Sequence, residues 1–423
     1  MTKPAASLDA TLEFAANPSV AAALSLCIVG TAFGSHLIES LIGSAGLIGI
    51  VATLVVLSVL VLVARWGTFE WQWLLPISLL VFLAWCALST FWSSYQWQSV
   101  GSVCAQFALA YLGIFVAVAR DVIQIVRAFG DVLRAVIGLS LAIEVLAGLL
   151  IDSPIRFLGV AGDLAEGGPI QGIMGTRNQL SLIAILAIIT FIIELTTHSV
   201  RRGVSGASIA AASLTLLLTQ SSIGIGVLLV VSLAGLALLG LRALNPEQRV
   251  RAQIGLASLA IIALAGAWAF RSVIVNWLNA SDDLAYRLGV WRQLLNLGSV
   301  HTLEGWGWTG KWPTDLLPYS AIETANGAQY SSAYNSYLDA WFQLGLIGLA
   351  ILLILVALAF VRSWLLASGQ HSRVFVWPAL VLVALLVTSL AESSLIVSYG
   401  WLTLVICVVK SAEKLSWRRQ LPD

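Results

Sequence analysis

The stretch YNSYLDAWFQLGLIG, residues 334–348, stands where a polar segment of more than sixty residues re-enters an apolar run of hydrocarbon length. It joins the two kinds of sequence this chain contains, and so its reading decides the fold. Beyond it, residues 339–361 are apolar almost without interruption, and a helix needs roughly 20 such residues to cross a bilayer. Twelve runs of this kind can be placed, near 20–38, 42–64, 71–92, 101–119, 132–151, 180–197, 204–220, 223–240, 253–270, 339–361, 374–391 and 395–409. The third includes Leu79 to Leu83, apolar on every face, which excludes a surface helix. The seventh and eighth are separated only by Ser221 and Ser222. Charged residues are 10% of the chain and hydrophobic residues 59%, with a mean hydropathy of +0.94. An ordinary soluble domain carries about 25% charge. The expected fold class is all-α: a polytopic membrane protein of about twelve helices, with one large loop between the ninth and tenth.

Charge predicts the orientation. Arg65, Arg120, Arg127, Arg201, Arg202, Arg242, Arg249, Arg251, Arg362 and Arg373 fall in alternate loops, with Lys3, Lys410, Lys414, Arg418 and Arg419 on the same side. Excess Lys and Arg marks the cytoplasmic side. The organisation is then a cytoplasmic tail (1–19), helices one to nine (20–270), an extracytoplasmic loop (271–338), helices ten to twelve (339–410) and a basic cytoplasmic tail (411–423). Arg156, Arg177, Arg271, Arg287, Arg292 and Lys311 are expected outside, against the rule, which singles them out as candidates for function. The outer side also carries the glycine-rich segment 152–179, so the working surface is expected to face outward.

Other classes are disfavoured. A net charge of +1 with no basic patch beyond the inner loops argues against a nucleic-acid partner. Cys27, Cys86, Cys104 and Cys407 all sit in apolar runs and read as packing residues. The four histidines form no pair at metal-ligand spacing, and neither metal nor cofactor is expected. Nineteen mildly polar residues precede the first run, so no cleavable signal is expected. Trp71, Trp73, Trp92, Trp97 and Trp401, near run ends, are expected as interfacial anchors. No internal repeat is visible, which weakens a transporter built from inverted halves.

Within 271–338, Leu284, Leu288, Trp291 and Leu295 recur at helical spacing and predict a short amphipathic helix. Arg287 is expected to flank that apolar seam on one side and Arg292 on the other. Gly305 to Gly310, with Trp306 and Trp308, reads as a tight turn; no strand–helix unit surrounds it, so it is not a phosphate fingerprint.

Twelve spans with a long outer loop between the ninth and tenth resemble the O-antigen ligase and polymerase superfamily. Members show His-(Asn/Ser/Gln), nine residues, Gly, two residues and Gly, Thr or Tyr where the loop enters the tenth span. Asn335, Gly345 and Gly348 fall at those places, with Tyr334 where histidine is usual. Gly172 to Leu180 resembles a Gly…Lys/Arg-Asn-x-Leu element, and Leu88 to Ser93 a Leu-Ser-x-x-Trp-Ser element. Arg287 to Trp291 resembles Arg-x-x-x-Trp, followed by the glycine turn. Thr219, Ser221 and Ser222 resemble Thr-x-Ser-Arg with serine in the arginine place. Glu392, at the outer end of the eleventh run, matches a Glu-Ser element. The resemblance covers roughly 70–423.

The resemblance implies a membrane glycosyltransferase that needs no metal. It would move a glycan from a polyprenyl-pyrophosphate carrier to an acceptor sugar outside the cytoplasmic membrane, polymerising repeats or ligating a chain. Flippase and chain-length proteins are candidate partners. Arg177 and Arg287, with Asn178, take the family's places for holding the pyrophosphate, where guanidinium groups suit phosphate oxygens. Tyr334, Asn335 and Asp339 are the candidate catalytic residues, and Trp306, Trp308 and Glu392 the candidate substrate contacts. The tyrosine is the departure. Histidine titrates near about 6.5 and tyrosine near about 10, so the base could instead be Asp339, Glu323 or His301, or catalysis could be lost.

Each of these residues also has a plain structural role open to it. Arg177 could snorkel, Arg287 could pair with Asp282 or Asp283, and Tyr334 and Tyr337 could belong to an aromatic belt. Asp339 could cap the tenth helix. Glu144, inside the fifth run, is expected in a structural pair. The tryptophans could stack on sugars or pack the loop. From another class, the chain could be a transporter or flippase, or a non-catalytic member of the family.

Overall fold

A computed structural model describes residues 13–66, 76–277, 281–323 and 329–414. The helices are α1 (Pro18–Phe33), α2 (Ser35–Ala64), α3 (Ile77–Leu88), α4 (Gln96–Ala119), α5 (Val122–Val145), α6 (Arg177–Thr197), α7 (Arg202–Leu218), α8 (Ser222–Ala243), α9 (Pro246–Ala269), α10 (Arg271–Trp277), α11 (Ser281–Gly298), α12 (Ser336–Gly369), α13 (Val376–Thr388) and α14 (Ser398–Lys414). Among the described residues there is no strand, only the isolated bridges Ile155–Val160 and Glu323–Gln329. Among the described residues, seven helices are long and apolar enough to cross a membrane: α2, α4, α5 with its continuation to Ile151, α6, α8, α9 and α12; α1, α3, α7 and α13 are apolar but shorter.

Each of the twelve apolar runs overlies one of these helices. The start of the third, with Trp71 and Trp73, lies outside the described residues, as do residues 1–12 and 415–423 of the two tails. The narrow gap between the seventh and eighth runs is a real helix boundary. Gln220 takes a positive φ of 47°, and Ser221 caps α8 by accepting the Gly224 N–H at 3.0 Å.

Two helices form the centre. α14 is buried almost throughout, from Trp401 to Val409, and α6 nearly so, while α9 buries none of its apolar window within the chain. An apolar helix with no protein around it is stable only against lipid. Trp401, expected at the interface, is instead in the core and donates to the Gln106 carbonyl at 3.2 Å. Its position near a run end misled the reading, because α14 is shielded from lipid by its neighbours.

Glu144 is buried and, among the described residues, has no cationic partner in an ion pair. Its Oε1 accepts the backbone N–H groups of Gln171 and Gly172, both at 2.7 Å, and so fastens the 152–176 loop that leads into α6. The expected structural pair is thus a carboxylate–backbone anchor. A buried ion pair that sequence reading did not weigh lies between α5 and α6, where Arg134 binds the fully buried Glu194.

α12 is broken at Gly345, whose φ of 70° and ψ of −174° interrupt the helix. Residues 302–307 fill the break. Trp306 and Gly307 donate to the carbonyls of Phe342 and Gln343 at 3.1 and 2.8 Å; Leu346 and Ile347 donate to those of Thr302 and Leu303 at 2.9 and 3.3 Å. Backbone groups freed by an interruption inside a membrane protein must find partners, and the loop supplies all four. The glycine turn after α11 is therefore a plug in α12. Residues 88–93 brace it: Ser89 Oγ accepts the Trp308 N–H at 2.9 Å, and Trp92 donates to the Glu304 carbonyl at 3.1 Å.

Candidate functional site

α11 forms as the spacing predicts, but its buried face is turned. Val290 and Leu294 are fully buried with Arg287 beside them, while Leu288 and Leu295 are exposed. Arg287 therefore lies on the buried seam, not at its flank. A periodicity reading places arginine outward because it cannot see the partners that let the charge be buried. Those partners are complete. Arg287 Nη2 donates to Glu392 Oε1 at 3.1 Å, Nε to the Ala391 carbonyl at 3.0 Å and Nη1 to the Asp283 carbonyl at 3.0 Å.

Around this guanidinium the structure gathers residues from distant parts of the chain. Glu392 Oε1 also accepts Asn178 Nδ2 at 2.7 Å, and Asn178 Oδ1 accepts the Ser221 hydroxyl at 2.8 Å. Ser221 was missed as a site residue; its only signal was a serine next to the place where the family motif has arginine. Next to Asn178, Arg177 Nη2 donates to Asp283 Oδ2 at 3.0 Å. Burial pushes the Glu392 carboxyl above its ordinary range, and Arg287 beside it opposes the shift.

The two arginines are held differently. Arg287 and Glu392 side chains are 9% and 10% exposed, Arg177 and Asp283 36% and 33%. A partly solvated pair contributes about 0.2–1 kcal/mol. Asp283→Asn is accordingly expected to shift stability by less than about 1 kcal/mol, read as a change of at most a few degrees in melting temperature. A collapse of the fold would show that this bridge is a strut.

Tyr334 has a positive φ of 49°, rare for a bulky residue. Its ring lies 5.9 Å from the Arg287 guanidinium carbon and its hydroxyl 3.5 Å from that of Tyr286. Asn335 caps α12: Oδ1 accepts the Tyr337 and Leu338 N–H groups at 3.0 and 3.1 Å, and Nδ2 donates to the Leu390 carbonyl at 3.0 Å. The cap position considered for Asp339 thus belongs to Asn335. Asp339 is buried one turn on, where Oδ1 accepts Trp312 Nε1 and Gln343 Nε2, both at 2.8 Å. Gln343, also unforeseen, takes the N–H groups of Thr309 and Gly310 on its Oε1 at 2.8 and 2.9 Å. Asp339 and Gln343 together tie the loop to α12.

The remaining candidates lie elsewhere. Trp308 is completely buried and packs edge-on against Phe82 with centroids 6.4 Å apart; no face is left for a sugar. Trp306 is half-buried, between His301 and Phe342. His301 follows the far end of α11, and the eleven steps from Arg287 to Gly298 alone span about 16 Å. Glu323 is exposed and joins Gln293 through its backbone.

Residues 207–353 match the family model described as O-antigen ligase. Over that stretch the chain is similar to the O-antigen ligase family. No curated protein matches it. The matched part includes Ser221, Arg287, Tyr334 and the Gly345 break. Arg177, Asn178 and Glu392 lie outside that part and reach the same cluster through the fold.

Proposed function

We propose that this multi-pass membrane protein transfers glycans from a polyprenyl-pyrophosphate carrier to an acceptor sugar on the outer face of the cytoplasmic membrane, polymerising or ligating them. One observation supports the reading above all others. Arg177 and Arg287, 110 positions apart in the chain, are joined through Asp283 at one end of the bundle, beside Tyr334.

In such a transfer, an acceptor hydroxyl oxygen bonds to the anomeric carbon as the bond from that carbon to the pyrophosphate breaks, with inversion. The hydroxyl proton passes to a base, and the negative charge gathers on the leaving pyrophosphate. Preformed cations facing that charge lower the barrier most. Arg177, partly exposed and weakly held, suits direct contact with the phosphate oxygens. Arg287 orients the cluster through Glu392. Of the candidate bases, Tyr334 adjoins Arg287; Asp339 is committed to the loop, Glu323 lies beside Gln293, and His301 is remote.

The transporter reading expects an interrupted helix that offers free backbone groups to cargo. At the α12 interruption, residues 302–307 take the Phe342 and Gln343 carbonyls and the Leu346 and Ile347 N–H groups, and the Trp85 indole takes the Leu344 carbonyl, which favours the transferase.

The test uses purified protein in nanodiscs with the organism's own polyprenyl-pyrophosphate oligosaccharide, in EDTA, following carrier release and glycan length. Wild type is expected to release carrier and lengthen or transfer glycan. Arg177→Ala and Arg287→Ala are each expected to reduce turnover by at least about a hundredfold. Movement of the lipid-linked glycan across the bilayer without turnover would replace this function with a flippase. Tyr334→Phe with unchanged turnover would assign the base elsewhere.

A further inference from the structure

We propose that Tyr286 and Tyr334, backed by the buried Tyr330, form a pyranose-binding shelf beside Arg287. The tryptophans expected to stack on sugars are sealed or packed within the loop, as are Trp312 and Tyr319. The aromatic surface next to the arginine cluster is instead made of tyrosines.

The three rings meet in tilted and edge-to-face contacts. Centroids are 4.8 Å apart for Tyr286–Tyr330, 5.4 Å for Tyr286–Tyr334 and 6.4 Å for Tyr330–Tyr334. Tyr330 is buried and supports the other two, while Tyr286 remains 42% exposed. Pyranose rings present C–H faces that suit an aromatic surface and hydroxyls that need polar partners. The shelf offers both: ring area on Tyr286, and two phenol oxygens 3.5 Å apart. Burial, together with the neighbouring Tyr334 hydroxyl, pushes the Tyr286 phenol well above its ordinary range, so it stays protonated as a donor.

Tyr334 reaches this place only through its left-handed backbone, a conformation that costs energy for a bulky side chain and clusters at ligand sites. Its ring lies 5.9 Å from the Arg287 guanidinium. The position also fits the chemistry. A sugar bonded to a pyrophosphate, and the sugar that attacks it, both stand immediately beyond the group that the arginines would hold. The choice of sugar rests on the transferase reading; the shelf itself does not.

The experiment has two arms. In the first, free oligosaccharide released from the carrier by mild acid is added to the nanodisc protein, and saturation-transfer NMR reads its contact. Signal is expected with wild type and Tyr286→Phe, and its loss with Tyr286→Ala. In the second, Tyr286→Ala is expected to raise one glycan KM by about tenfold with the other within about twofold. A raised acceptor KM assigns the shelf to the acceptor's sugar, and a raised donor KM to the donor's. Should the alanine variant fail to fold, Tyr286→Leu, which keeps apolar bulk without an aromatic face, is read the same way. Absence of oligosaccharide contact in wild type overturns the shelf, as does unchanged contact and KM in the variant. Tyr286-dependent contact without turnover would leave the shelf standing and remove the transferase.

Discussion

Gly345→Ala is expected to leave little folded protein. The residue sits at φ 70°, and a Cβ built there would overlap the Leu303 carbonyl of the inserted loop. The methyl group cannot be accommodated by a side-chain rotation, because the atom it meets is backbone. Relieving it means withdrawing residues 302–307 from the break and stranding the carbonyls of Phe342 and Gln343. Strain and overpacking together are worth at least about 3 kcal/mol. Gly305→Ala attacks the same joint from the other side, with Gln343 backbone atoms and the Gly345 nitrogen all 2.5 Å from the added carbon. Gly101→Ala is the control, since nothing lies within 4 Å of the carbon it would add to α4. Size-exclusion profiles and melting temperatures in one detergent make the comparison. Wild-type behaviour of Gly345→Ala would refute the plugged break.

The second large effect is at Glu392. Glu392→Ala leaves the Arg287 charge buried opposite a void and removes the acceptor of Asn178, a loss of about 3–5 kcal/mol. Glu392→Gln keeps an oxygen for both donors and separates shape from charge. The carboxyl is held above the ordinary value of 4.5, chiefly by burial. Its favourable contribution is therefore complete below pH 4.5 and is lost as pH rises through the raised value. The glutamine variant, neutral throughout, lacks that loss. Relative to Glu392→Gln, wild type is expected to be most stable in acid and to lose ground as pH rises above 4.5 through the raised value. Parallel melting curves at stepped pH decide it. A constant difference would mean that the Arg287 charge balances the burial of Glu392, and one that turns towards wild type with rising pH that it outweighs it.

What was legible beforehand follows a physical pattern. Apolar runs are local, and each of the twelve overlies a helix. The spacing of Leu284, Leu288, Trp291 and Leu295 was enough to foresee α11, since one element's periodicity declares its secondary structure. The glycines at 305, 307 and 345 were visible as a motif, though nothing local showed that the first two enter a gap made by the third. Asp339 and Trp308 were drawn into the candidate site by their neighbourhood in sequence, yet the fold commits them to holding the loop.

By itself, the sequence determined a helical membrane protein and a polar loop re-entering it at Tyr334, because hydrophobic length and backbone hydrogen bonding leave few alternatives in an apolar chain. Only the tertiary structure decided which face of α11 is buried, which arginine is exchangeable and which is locked, and which aromatics remain open. Those outcomes depend on partners far away in the chain. Arg287 and Glu392 are 105 residues apart, Arg177 and Asp283 106, and Asn178 and Glu392 214. A buried charge is tolerated only where such partners converge, and convergence belongs to the fold.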